Sequence, residues 1–306
     1  MIEARGLVKR FGSRVVLDDL DFTVERGRRL ALLGLNGAGK TTLLRCLMGL
    51  LAFEGSVLID GVDVATAGKR ARGRVGYVPQ RPPLFSMTLG SLVEFFSALR
   101  GIPERRIAGR LEALGLPLDE TAALSLRELS GGMVQKALLA VALAADPPVL
   151  LLDEPTANLD PQARGEFMRV LRAVDEDTTL LLASHRLDEV EMVADRIWIL
   201  HDGRRVFDGT LDELRAAARA DSWLWIRTVQ ERRDDARQKF IELAGEEAVM
   251  ANGKHVAVQL PAAARVDALS GLRQAGVPIE EFWVVGPSLE EIVRGFFVKG
   301  GSGESR

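Results

Sequence analysis

The 306-residue chain has a single cysteine, Cys46. That excludes an intrachain disulfide framework and fits a reducing compartment. Cys46 lies in an apolar stretch and is expected to be a buried small hydrophobe. Histidine is also scarce, with three residues. His185, His201 and His255 have no metal-ligand spacing, and the latter two are expected at the surface or a strand edge. No run of about 18 apolar residues occurs, so no transmembrane helix is expected. Met1 to Lys9 is too polar for a secretory h-region. Basic excess is absent too: 40 Lys and Arg stand against 43 Asp and Glu, a net charge of −3. A nucleic-acid partner is therefore not expected. The densest basic patch, Lys69 to Arg74, reads as a solvated turn before a strand at Val75.

What the chain does have is glycine in one telling place. Gly34-Leu35-Asn36-Gly37-Ala38-Gly39-Lys40-Thr41-Thr42 matches G-x-x-x-x-G-K-[ST], the phosphate-binding loop. Glycines let the backbone curl with its N–H groups inward. Lys40 is placed to reach β- and γ-phosphates, and the Thr41 hydroxyl to ligate Mg²⁺. Arg28 to Leu33 reads as a buried strand entering this loop. Thr41 to Leu51 reads as a helix leaving it, whose N-terminus favours anions.

Further along, Val149 to Glu154 is an apolar run ending in two carboxylates. A buried strand with acids at its C-terminal edge suits the ligand side of a doubly wound sheet. Asp153 is the expected Mg²⁺ partner, and Glu154 the expected general base toward water. Upstream, Leu129-Ser130-Gly131-Gly132-Met133 precedes an apolar helix. It offers free N–H groups and a hydroxyl for a second anion site. One phosphate-binding loop needs no second such helix, whereas two facing copies of the chain do.

With these residues the sequence resembles the ATP-binding cassette (ABC) ATPases over about residues 1–215. Leu129 to Met133 matches the signature, with Met133 where Gln is usual, as in many exporter-type members. Val149 to Glu154 matches the Walker B strand. Gln80 in Tyr77-Val78-Pro79-Gln80, Asp160 in Asn158-Leu159-Asp160, and His185 match the Q-loop, D-loop and switch histidine. Phe11 matches the aromatic that stacks on adenine.

The resemblance implies an α/β P-loop core with an antiparallel β subdomain and a helical subdomain over about 81–140, within an ABC domain of residues 1–220. It implies MgATP hydrolysis between two copies, with Gly34 to Thr42 of one facing Ser130, Gly131 and Gly132 of the other. Phe11 then stacks the base, and Thr41, Asp153 and Gln80 serve Mg²⁺. Glu154 polarises water, His185 orients it, and Asp160 communicates across the dimer. The partners implied are a second copy, as a homodimer, and a separate transmembrane permease. The permease docks near Gln80 to Phe85, on the cytoplasmic face of the cell membrane and without insertion of this chain. Energising export is the leading function; remodelling of a macromolecular complex by a soluble ABC ATPase is the alternative.

From about residue 221 the composition changes. Trp223 to Ile226, His255 to Leu260 and Phe282 to Val285 read as strands. Arg232 to Leu243, Ala262 to Gln274 and Leu289 to Phe296 read as helices. The β-α-β-α-β-α order predicts a small α+β domain over 221–298, followed by a disordered tail over 299–306.

Overall fold

The computed structural model describes residues 1–82, 86–218, 222–287 and 291–292. It divides into two compact units, Met1–Leu211 and Asp212–Arg306. The first unit opens with strands β1 (Ile2–Phe11), β2 (Arg14–Val24) and β3 (Arg29–Leu33), then helix α1 (Lys40–Leu47). Next come β4 (Glu54–Ile59), β5 (Val62–Asp63), α2 (Gly68–Gly73) and β6 (Val75–Val78). Four helices follow: α3 (Leu89–Arg100), α4 (Glu104–Ala113), α5 (Leu118–Thr121) and α6 (Gly131–Ala144). The unit continues through β7 (Val149–Asp153), α7 (Pro161–Arg172), β8 (Thr179–Ser184), α8 (Leu187–Val193), β9 (Arg196–His201) and β10 (Arg204–Gly209).

Two sheets form among these strands, an antiparallel one in the order β2-β1-β4-β5 and a larger one in the order β10-β9-β3-β8-β7-β6. In the larger sheet β9, β3, β8, β7 and β6 run parallel, and β10 returns antiparallel. Every residue of β7 and β8 is buried, which is why both read as continuous apolar runs. Burying each leucine there contributes roughly 1.5–3 kcal/mol. Their faces separate cleanly. Leu150, Leu152, Leu180 and Leu182 join a core with α3, α4, α6 and α7. Val149, Leu151, Leu181 and Ala183 join a core with α1 and the antiparallel sheet. The larger sheet is therefore the middle layer.

Because they are parallel, β3, β6, β7 and β8 end on one edge. That edge delivers the loop after Leu33, Pro79-Gln80, Asp153-Glu154 and Ser184-His185 to one place. The helix after the phosphate loop stops at Leu47, short of the expected Leu51. Gly49 N–H bonds Cys46 O at 2.9 Å and Leu50 N–H bonds Arg45 O at 2.9 Å, a Schellman closure with Gly49 at φ 64°. Cys46 is fully buried, and burial pushes its thiol up to about 11. The basic patch forms α2, where Arg72 donates to Met48 O and Arg74 pairs with Asp60. At one end of α7, Asp160 Oδ1 accepts the Ala163 N–H at 2.9 Å. Near the other end, the Arg29 guanidinium donates to the carbonyls of Arg172 and Val174.

Helix α9 (Leu211–Ala218) spans the division between the units. The second unit continues with β11 (Ser222–Arg227), α10 (Arg233–Ala244), β12 (Val249–Asn252), β13 (His255–Leu260), α11 (Arg265–Gln274) and β14 (Glu281–Val285). Its sheet runs β12-β13-β11-β14, all antiparallel. Phe240 and Leu272 pack on one face with Leu224, Ile226, Val256 and Val258. The alternating β-α pattern expected from sequence is corrected by β12, which pairs with β13 as a hairpin across Gly253. Trp225 stacks on Trp283 with centroids 6.0 Å apart, and His255 meets Trp283 edge-on. The helix expected over Leu289 to Phe296 falls largely outside the described residues, and the tail over 299–306 lies wholly outside them.

Candidate nucleotide-binding and catalytic site

The loop between β3 and α1 is held by close backbone approaches. A Cβ on Gly34 would stand 2.5 Å from Leu200 O, so no other residue fits without moving β9. Gly39 caps α1 at φ 104°, and a Cβ there would meet Val16 O at 2.9 Å. Glycine satisfies both demands at once. The following Lys40 is buried, with 5% of its surface exposed. Its ammonium donates to Gly34 O at 2.7 Å and Leu35 O at 3.3 Å, and it pairs with Glu154 Oε1 at 3.1 Å. A charge this deep requires such partners.

Glu154 is the meeting point of the parallel strands. It adopts φ 44°, a left-handed conformation uncommon for glutamate, and its N–H is held by Ala183 O at 2.9 Å. This turns its carboxylate back over the sheet edge. Besides Lys40 on Oε1, Oε2 accepts from Gln80 Nε2 at 3.0 Å and contacts His185 Nδ1 at 3.1 Å. A carboxylate only accepts, so this contact assigns a proton to Nδ1 of His185. Asp153 is 1% exposed and accepts the Thr41 hydroxyl at 2.9 Å. Burial raises its carboxyl above the usual range, and the Thr41 bond opposes the shift. Tyr77 places its hydroxyl 3.5 Å from the other Asp153 oxygen and is pushed up to about 12, first by burial and then by the Asp153 charge.

A cavity of about 230 Å³ lies over this arrangement, lined by Val16, residues 36–42, Gln80 and Glu154. That is below the roughly 300–1,000 Å³ of a pocket enclosing a whole drug-sized ligand. The space and its donors suit a polyphosphate, with the rest of a nucleotide lying outside. Phe11, half exposed, ends β1 opposite Arg14, at the hairpin end near Val16. Lys9 Nζ stands 4.6 Å from the Phe11 ring centroid.

Ser130, Gly131, Gly132 and Asp160 do not line this cavity. Ser130 caps α6 and accepts the Met133 N–H at 3.2 Å. A Cβ on Gly132 would come 3.2 Å from Leu159 Cδ2, so the signature lies beside the Asp160 turn.

The sequence profile described as ABC transporter matches residues 17–157. The daunorubicin resistance ATP-binding protein DrrA3 of Streptomyces coeruleorubidus is 35% identical over 300 residues, covering 95% of this chain and 94% of that one. The chain belongs to the family of ABC transporter ATP-binding proteins. The Nod factor export ATP-binding protein I of Ralstonia nicotianae is 38% identical, covering 70% of this chain and 68% of that one. A solved ATP-binding subunit of an ABC transporter is 31% identical over 71% of this chain and 92% of that one, with a TM-score of 0.65. As an ABC ATPase, the chain binds and hydrolyses ATP.

Several residues around the ABC site carry no motif of their own. Val16 contributes a wall because β2 passes against Gly39. Glu189, 2% exposed, accepts from Ser184 Oγ at 2.7 Å and from Thr156, joining the segment before His185 to the one before Asp160. His201, at the end of β9, pairs with the adjacent Asp202 at 3.3 Å and does not line the cavity.

Proposed function

We propose that this chain is the ATPase subunit of an exporter whose membrane path belongs to a separate permease. No described helix is long and apolar enough to cross a membrane. One relative that matches nearly the whole chain, second unit included, is named for daunorubicin resistance, which supports a small organic compound as cargo.

The observation that carries the catalytic assignment is the convergence of Lys40, Gln80 and His185 on Glu154. Lys40 and the N–H groups of Gly34 to Thr42 hold the β- and γ-phosphates. Glu154 polarises the attacking water, and His185, bonded to Glu154, orients water and γ-phosphate. Thr41, Asp153 and Gln80 would hold Mg²⁺; the Asp153 carboxylate, the Thr41 hydroxyl bonded to it and the Gln80 amide oxygen are hard donors that fit that ion. Bound there, Mg²⁺ supplies charge neutralisation on the phosphate oxygens. Phe11 takes adenine on its ring, outside the small cavity. Ser130, Gly131 and Gly132 of a second copy close the site over the γ-phosphate, and Asp160 lies at the same face.

The permease docks on the helical layer beside Gln80. Residues 83–85 of that segment lie outside the described residues. Phe95 at 50% and Leu99 at 62% exposure on α3 give this layer an apolar outer face. The subunit then works at the cytoplasmic face of the cell membrane. The test is purification of tagged Glu154→Gln chain from solubilised membranes with ATP and Mg²⁺. A stoichiometric multi-span partner is expected. Recovery of soluble assemblies alone would overturn the permease reading.

A further inference from the structure

Gln135 lies in the second turn of α6 and is 1% exposed. Its Nε2 donates to Pro79 O at 2.9 Å and to Gln80 O at 3.1 Å. Two carbonyl acceptors fix which end of the amide is the NH₂. The Oε1 at the other end is buried and has no partner among the described residues. A position that needed only filling would take Leu or Met and leave no acceptor unsatisfied. The donor end is what this position uses.

The reason lies in the loop's own sequence. In a tight turn, the carbonyl of one residue accepts from the N–H three residues on. For Pro79 and Gln80, those nitrogens belong to Pro82 and Pro83, which have no hydrogen to give. Those two turn donors are therefore missing, and Gln135 supplies a donor to each carbonyl from a neighbouring helix. From the same loop, the Gln80 side chain donates to Glu154 Oε2 at 3.0 Å. An unbroken path runs from the Ser130 end of α6, through Gln135 and the backbone at Gln80, to Glu154.

We propose that Gln135 is a positioning residue for ATP hydrolysis, fixing the Pro79–Gln80 backbone so that the Gln80 side chain is aimed at Glu154. It touches no reacting atom. It ties the setting of the signature helix to the carboxylate of the same chain. The inference rests on the reading of Glu154 as the base.

The test is a double-mutant cycle on the full chain, read by steady-state ATP turnover. Gln135→Met keeps the length and removes the donor. It is expected to lower kcat about tenfold with KM for ATP within about twofold. In a Gln80→Ala background the same change should cost less than about twofold, because the side chain it aims is gone. A purely structural role would multiply the losses in the double mutant. That result, or a kcat for Gln135→Met within about twofold of the parent, overturns the proposal. Should Gln135→Met not fold, Gln135→Asn enters the same cycle: it keeps the amide but is one methylene short of bridging both carbonyls. Glu154→Gln, assayed alongside, reports on the base separately. Full activity there removes Glu154 as the base, while the Gln135–Gln80 coupling is still read from the cycle.

Discussion

The phosphate-loop side and the signature side of this ATPase are built in opposite ways. Around Glu154 the charges are buried, with Lys40 at 5%, Asp153 at 1% and Glu154 at 8% exposure, and each has its partners in place. At Ser130 and Gly131 there is no charge and little burial, and among the described residues the serine oxygen accepts from the Met133 N–H of its own helix. Assembling the first arrangement requires long-range packing, since breaking a buried ion pair costs roughly 3–5 kcal/mol. The second is set locally by a helix cap of about 1 kcal/mol. A folded chain thus gathers its charged groups in one buried cluster and leaves Ser130 and Gly131 exposed, as the proposed site between two copies requires.

The contrast is broken most directly at Glu154. Glu154→Gln preserves shape and should lower phosphate release about 10²–10³-fold while ATP binding by equilibrium dialysis persists. Full turnover would mean the buried cluster is not the cleaving centre. The outward half is tested by mixing Lys40→Ala chains with Ser130→Arg chains, each inactive alone. If sites are composite, half of the random pairs contain one intact site of two, and about a quarter of the activity should return. No recovery would place both functions within one chain. Gly39→Ala adds a Cβ 2.9 Å from Val16 O at a φ of 104°. It should destabilise the chain by about 1–2 kcal/mol in denaturant titration and weaken ATP binding. An unchanged unfolding midpoint would show that the loop relaxes freely. The smallest effect belongs to Tyr77→Phe, whose hydroxyl makes a long contact with Asp153 at 3.5 Å and lies beside Arg45. Turnover should stay within about twofold. With its folded-state value raised to about 12, Tyr77 stays protonated throughout any ordinary assay range. A pH–rate feature that shifts on Tyr77→Phe would give it a role that this geometry does not.

Much of this was readable before folding because the chemistry is bound to residue type. Glycines at fixed spacing, two acids after a run of leucines, and a histidine after another apolar run name the edge where parallel strands end. What escaped was set by backbone angle or by burial. The left-handed turn at Glu154, which aims its carboxylate, leaves no trace in residue type. Asp188-Glu189 looks like a solvated helix start, yet Glu189 is buried against Ser184 and Thr156. Val16 is one valine in a strand until β2 is laid against Gly39. Strand β12 is four residues after an acidic stretch, and the Asn252-Gly253 pair was the signal that could have found it.

One feature of the larger sheet sets a clock on synthesis. Strand β3, which carries the phosphate loop, has β8 and β9 as its two neighbours, pairing Arg29 with Leu180 and Leu30 with Arg196. Both partners lie about 150 residues further on. At roughly 5–20 residues per second, the ribosome needs about 10–30 s after making the phosphate loop before its supporting strands exist. Until then Leu30 to Leu33 is an apolar strand with two open edges, the kind of segment that nascent-chain chaperones shield. The site that binds ATP is therefore among the last parts of the unit to become competent.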